Sequence, residues 1–152
     1  MSWTRMLIAT VATLCVFGTS TAYAAGSCTI STTSVNFGSY NVFTGSATDS
    51  TGTIRIDCNG AAGNVVVTLS KGASASFSPR TMLKGAEALS YNLYTDSTRT
   101  SIWGDGTGGT STYTNASPGA QPFNVTVYGR VPAGQDVSAG VYSDTVSAVI
   151  NF

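Results

Sequence analysis

No histidine occurs in the 152 residues, so imidazole is missing from every catalytic scheme the chain could offer. Histidine-based triads and the usual zinc ligand sets are excluded. The acidic residues, seven in all, are scattered, and nothing in the sequence pairs any two of them as a glycosidase pairs its carboxylates. Asp105 stands in the glycine-rich stretch "WGDGTGGT". A phosphate-cradling loop would need a following Lys-Ser/Thr and a helix. A calcium loop would need several oxygen ligands at short spacing, and one Asp is too few. We expect an ordinary surface loop there, assign no catalytic, cofactor-binding or metal-ligating residue, and expect no cofactor. The protein is not read as an enzyme.

Two other groups of side chains bear on function. Trp103, Tyr113, Tyr94 and Tyr128 would serve a sugar-stacking surface if exposed. Core or cross-strand packing is the favoured account of them. Asn115-Ala116-Ser117 and Asn124-Val125-Thr126 match glycosylation sequons but carry little weight, the second lying inside an expected strand.

The N-terminus reads as an export signal. Arg5 supplies a positive charge, Met6 to Gly18 is an apolar run too short to span a bilayer, and Ala22-Tyr23-Ala24 is an A-x-A site. Cleavage between Ala24 and Ala25 leaves one domain, residues 25–152, with six basic and seven acidic residues and a net charge of −1. No basic patch points to nucleic acid, and no second hydrophobic run is long enough to cross a membrane. Cys15 falls inside the signal, with Leu14 before it in place of the Gly or Ala of a lipoprotein signal. Cys28 and Cys58 remain. In an oxidising compartment a disulfide between them is the expectation, stabilising by ~3–4 kcal/mol on the chain-entropy model.

The elements that position these residues are strands. In "TIRIDC", Ile54, Ile56 and Cys58 share one face, with "NG" following as a turn signal. Val65, Val67 and Leu69 alternate in the same way, as do Leu89, Tyr91 and Leu93, and then Phe123, Val125, Val127 and Val131. Val146, Ala148, Ile150 and Phe152 form the last stripe. Between them lie Gly-, Ser- and Thr-rich links; "RTMLKGAEALS" has room for a short helical turn, weakened by Gly85. Short strands at this spacing predict an all-β, Ig-like sandwich.

Three segments resemble one family. "CTISTTSVNFGSYNVFTG" resembles the opening of the spore coat protein U domain, "ALSYNLYTDSTRTSIWGDGT" its central signature, and "GVYSDTVSAVINF" its terminal strand. The resemblance implies a secreted structural protein, related to subunits of archaic chaperone–usher pili. It implies a pilin-like sandwich lacking its final strand and completed by strand donation. The implied partners are a periplasmic chaperone, an outer-membrane usher and another pilus or coat subunit that supplies a strand. The implied route is through the periplasm to the cell surface or the outside. The disulfide would join the first strand to the next. Val146, Ala148, Ile150 and Phe152 would line the acceptor groove. A self-contained adhesive or carbohydrate-binding module is the alternative.

A strand donor needs about five or six extended residues. Ala25-Gly26-Ser27, ahead of Cys28, spans at most ~10 Å. The expectation is a subunit that accepts a strand but does not donate one, and so a terminal or non-polymerising unit.

Overall fold

The computed structural model describes residues 26–59, 63–116 and 122–152. The signal, its Ala24/Ala25 cleavage site, Gly60 of the expected turn and Ser117 of the first sequon lie outside the described residues.

Among the described residues eight strands follow one another: β1 Ser27–Thr33, β2 Thr48–Asn59, β3 Val65–Leu69, β4 Arg80–Lys84, β5 Glu87–Tyr94, β6 Tyr113–Asn115, β7 Phe123–Val131 and β8 Ala148–Asn151. They form a five-stranded sheet in the order β1-β2-β7-β5-β4 and a three-stranded sheet in the order β6-β3-β8. Every strand pairing is antiparallel.

The apolar stripes read from the sequence face each other between the sheets. Ile54, Ile56, Leu89, Tyr91, Leu93, Val125, Val127 and Val131 come from the larger sheet; Val65, Val67 and Leu69 come from the smaller one; all are buried. At roughly 25 cal/mol per Å² of apolar surface removed from water, such side chains contribute about 1.5–3 kcal/mol each.

Two elements depart from expectation. "RTMLKGAEALS" holds no helical turn. It forms the β4–β5 hairpin, with Lys84 opposite Glu87 across Gly85-Ala86. Gly85 has a φ of 61°, the left-handed conformation that tight hairpin turns require and glycine supplies. The last strand is also shorter than its stripe. β8 starts at Ala148 and pairs with β3, Ala148 facing Leu69 and Ile150 facing Val67, while Phe152 lies beyond its end and is half-exposed.

The Cys28–Cys58 disulfide is present. The two cysteines are directly opposed partners in the β1–β2 ladder, with Cα atoms 4.0 Å apart, so the bond pins the outermost strand of the large sheet to its neighbour.

Candidate functional site

One side of the sandwich is open. After β1 the chain runs through residues 34–42 without joining either sheet. After β7, residues 132–147 approach β8 in the same unpaired manner, apart from a bridge between Ser143 and Leu83 and a bond from Ser70 N–H to the Ser147 carbonyl. Between these two walls lies a cleft of about 990 Å³. Its floor is the sandwich core, where the buried Leu69, Leu89, Tyr91, Leu93, Val127 and Val131 line it from beneath. Among the described residues, no backbone-to-backbone hydrogen bond crosses from residues 34–42 to residues 136–146.

Two glycines seat the first wall. A Cβ at Gly129 would lie 2.7 Å from Val35 Cγ1 and 2.8 Å from Phe37 Cζ. A Cβ at Gly52 would lie 2.7 Å from the Thr33 carbonyl oxygen and 2.8 Å from Val35 Cγ2. Residues at these points of β2 and β7 must lack a side chain for the wall to lie on the sheet.

Side chains hold the second wall where ladder bonds are missing. Asp144 accepts from the Tyr91 hydroxyl at 2.7 Å and from the Ala73 N–H at 2.9 Å. Burial, and the Asp144 carboxylate next to it, push the Tyr91 phenol well above its usual range. Glu87, in β5, accepts from Ser138 Oγ at 2.6 Å and from the Tyr142 hydroxyl, and pairs with Lys84 at 3.3 Å. Those hydrogen bonds, Ser138's first and Tyr142's second, hold the Glu87 carboxyl down at about 2.

One end of the cleft is closed. Pro132 follows β7 and has no N–H to continue the ladder with β5. The Gln135 amide takes over, accepting from Ser90 N–H at 2.7 Å and donating to the Ser90 carbonyl at 2.9 Å. Tyr40, from the first wall, bonds the Pro132 carbonyl at 3.1 Å and receives the Gln135 N–H at 2.9 Å. The walls therefore meet at Tyr40 and part towards β8.

Of the four residues expected to line a groove, Val146 and Ala148 line this cleft. Ile150 is half-buried against the core, and Phe152 stands half-exposed outside. The wall of residues 34–42 was not assigned from the sequence as a site. The signal was present in "SVNFGSY", where Val35 and Phe37 alternate with Ser34, Asn36 and Gly38.

The aromatics pack. Trp103 is wholly buried, its indole N–H bonded to the Val67 carbonyl at 2.9 Å and its ring against Tyr113. Tyr94 and Tyr128 are cross-strand partners. Asp105 accepts from the N–H and hydroxyl of Thr107 within its own loop, and among the described residues no cluster of metal-ligating side chains occurs.

Fold and cleft define an all-β, Ig-like sandwich with a cleft along one side. A chain of the CsuC–CsuE chaperone–tip adhesion subunit pre-assembly complex, from the archaic chaperone–usher Csu pili of Acinetobacter baumannii, matches it with a TM-score of 0.60 at 23% identity. That match covers 84% of this chain and 40% of the solved chain. Residues 10–149 match the model of the Spore Coat Protein U domain, and the chain belongs to that family. It is also 36% identical over 131 residues to Protein U of Myxococcus xanthus, across 78% of this chain and 71% of that protein.

Proposed function

We propose that this protein is an exported, non-catalytic structural subunit of a surface fibre or coat, and that the cleft between residues 34–42 and 136–148 receives an extended strand from a partner. One observation carries this: a cleft floored by apolar core residues lies between two walls that share no backbone hydrogen bond with each other, among the described residues. Unpaired edges beside exposed core are an aggregation hazard, and β-strand addition satisfies the edges and covers the floor in one step. During export the occupant is a periplasmic chaperone, consistent with the chaperone–subunit complex among the matched folds. In the assembly it is a strand from another subunit delivered through an outer-membrane usher.

With cleavage after Ala24, Ala25-Gly26-Ser27 precedes Cys28 and is too short to fill such a cleft. The subunit then occupies a terminal or non-polymerising position. The mass of the secreted N-terminus checks this directly, and a start well upstream of Ala25 overturns it.

The strand-accepting role is tested by producing the secreted chain alone, with a chaperone, and with a peptide of alternating valines. Alone it should aggregate or unfold at low temperature, and either addition should give one cooperative transition. A stable monomer indifferent to both sinks the proposal.

A further inference from the structure

The second wall is not apolar throughout. From residue 142 onward its half-buried residues are Tyr142, Asp144, Val146 and Ala148, alternating with exposed ones, so a carboxylate interrupts the stripe. Asp144 Oδ2 accepts from the Tyr91 hydroxyl at 2.7 Å, and Oδ1 accepts the N–H groups of Ala73 at 2.9 Å and Thr145 at 2.8 Å. Tyr91 belongs to the floor and is 4% exposed. Phe37 of the first wall meets its ring edge-on, with centroids 5.9 Å apart. Phe37, Tyr91 and Asp144 thus form a bar across the cleft, apolar at one side and acidic at the other.

A donor and acceptor count shows what this bar offers an incoming strand. Each carboxylate oxygen has room for about two hydrogen bonds. Oδ1 has two and Oδ2 has one. The Tyr91 hydroxyl has spent its proton on Asp144 and keeps only lone pairs. The station therefore presents acceptors and no donors. A valine laid against it strips water from Oδ2 and returns nothing. An acidic side chain meets like charge.

We propose that Asp144, oriented by Tyr91, is the specificity-determining residue of the cleft. It selects a strand with serine or threonine at the one inward position facing it, among apolar side chains at the others. This rests on the cleft being a strand acceptor. Apolar contacts bind the strand, and Asp144 sets its register. A slip of two residues keeps the same face inward but brings a valine to Asp144 and the hydroxyl to Val146 or Tyr142.

The test uses the full secreted chain with its disulfide formed, refolded with synthetic peptides. The host peptide has valine at four inward positions and lysine or threonine outward. Four variants carry serine at one inward position each, and four carry aspartate. One serine peptide should bind about tenfold tighter than the host, the worth of one hydrogen bond to a charged group. Aspartate at that same position should bind weakest of its series. Asp144→Asn removes the charge and adds an N–H donor, so it should narrow the serine preference and restore the aspartate peptide. Should that variant fail to fold, the two peptide series on the unaltered chain still decide. Four serine peptides that bind no better than the host overturn the proposal while the strand-accepting role stands. A host that does not bind at all overturns both.

Discussion

Arg80 shows how far this chain relies on neutral oxygens to hold a buried charge. Its guanidinium is inaccessible to water and donates to the Ser70 carbonyl at 2.9 and 3.1 Å, to the Trp103 carbonyl at 2.6 Å and to Asn92 Oδ1 at 2.8 Å. Burial lowers its pKa, yet arginine stays charged in proteins. The fork ties the loop after β3 and the Trp103 turn to the β4–β5 hairpin. Arg80→Met keeps the stem but takes these donors from the Ser70 and Trp103 carbonyls, while Asn92 Oδ1 keeps the Leu93 N–H at 3.0 Å. We expect a loss of about 3 kcal/mol, from the penalty for buried acceptors left unpaired, read by denaturant unfolding. A loss under about 1 kcal/mol, the net worth of one ordinary hydrogen bond, would show that the network is dispensable. Glu87 makes a prediction in pH. Its carboxyl sits at about 2 in the folded chain against an ordinary 4.5. A depressed carboxylate contributes stability that is complete above the unfolded value and fades as pH falls through the folded one. The grip on Ser138 and Tyr142 should therefore loosen between pH 4.5 and about 2. Amide-exchange protection at residues 138–142, taken relative to the intrinsic rate at each pH, should fall across that window, and Glu87→Gln should flatten the fall. An unchanged profile in the variant would place the acid-sensitive group elsewhere.

Among the elements, the walls depend on the sheet beneath them. Gly129 leaves a gap in the apolar stripe of β7, and in the sequence it reads only as a missing side chain. In the fold Val35 and Phe37 occupy the space. Gly129→Val should push the first wall outward at a cost of about 1–3 kcal/mol, the range for overpacking. It should also weaken strand-peptide binding more than Thr126→Val, made on the outward face of the same strand. Equal effects would detach the wall from the glycine. The stripes of β2, β3, β5 and β7 were legible because each has the period of a strand buried on one face. β4 was not, since Met82, Leu83, Ala86 and Leu89 fit helical spacing as well as a hairpin. Pairing with β5 and the left-handed Gly85 decided it. Gln135 was illegible for another reason: an amide is an ordinary loop residue until the fold brings it to Ser90.

For the molecule as a whole, the proposed strand-accepting role ties stability to occupancy of the cleft. A ligand that binds only the folded chain adds RT ln(1 + [L]/Kd), about 2.7 kcal/mol at a hundredfold excess over Kd. The unfolding temperature of the secreted chain should climb with the logarithm of strand-peptide concentration and show no plateau once the cleft is full. A temperature independent of peptide would mean that the folded chain binds no strand.

The sequence by itself determined the class of fold, the cysteine pair, the absence of imidazole chemistry and the residues of the core, because periodicity, composition and redox context are local or additive properties. Val146 and Ala148, which continue the last stripe, line the cleft in the fold. Only the tertiary structure decided that the stripe reaches back to Asp144 and Tyr142, that Phe152 falls outside, and that residues 34–42 form the facing wall. Those outcomes depend on which distant segments share a sheet edge. An alternating segment reads the same whether its neighbour is present or missing, and only the assembled sheets show which edges stay unpaired.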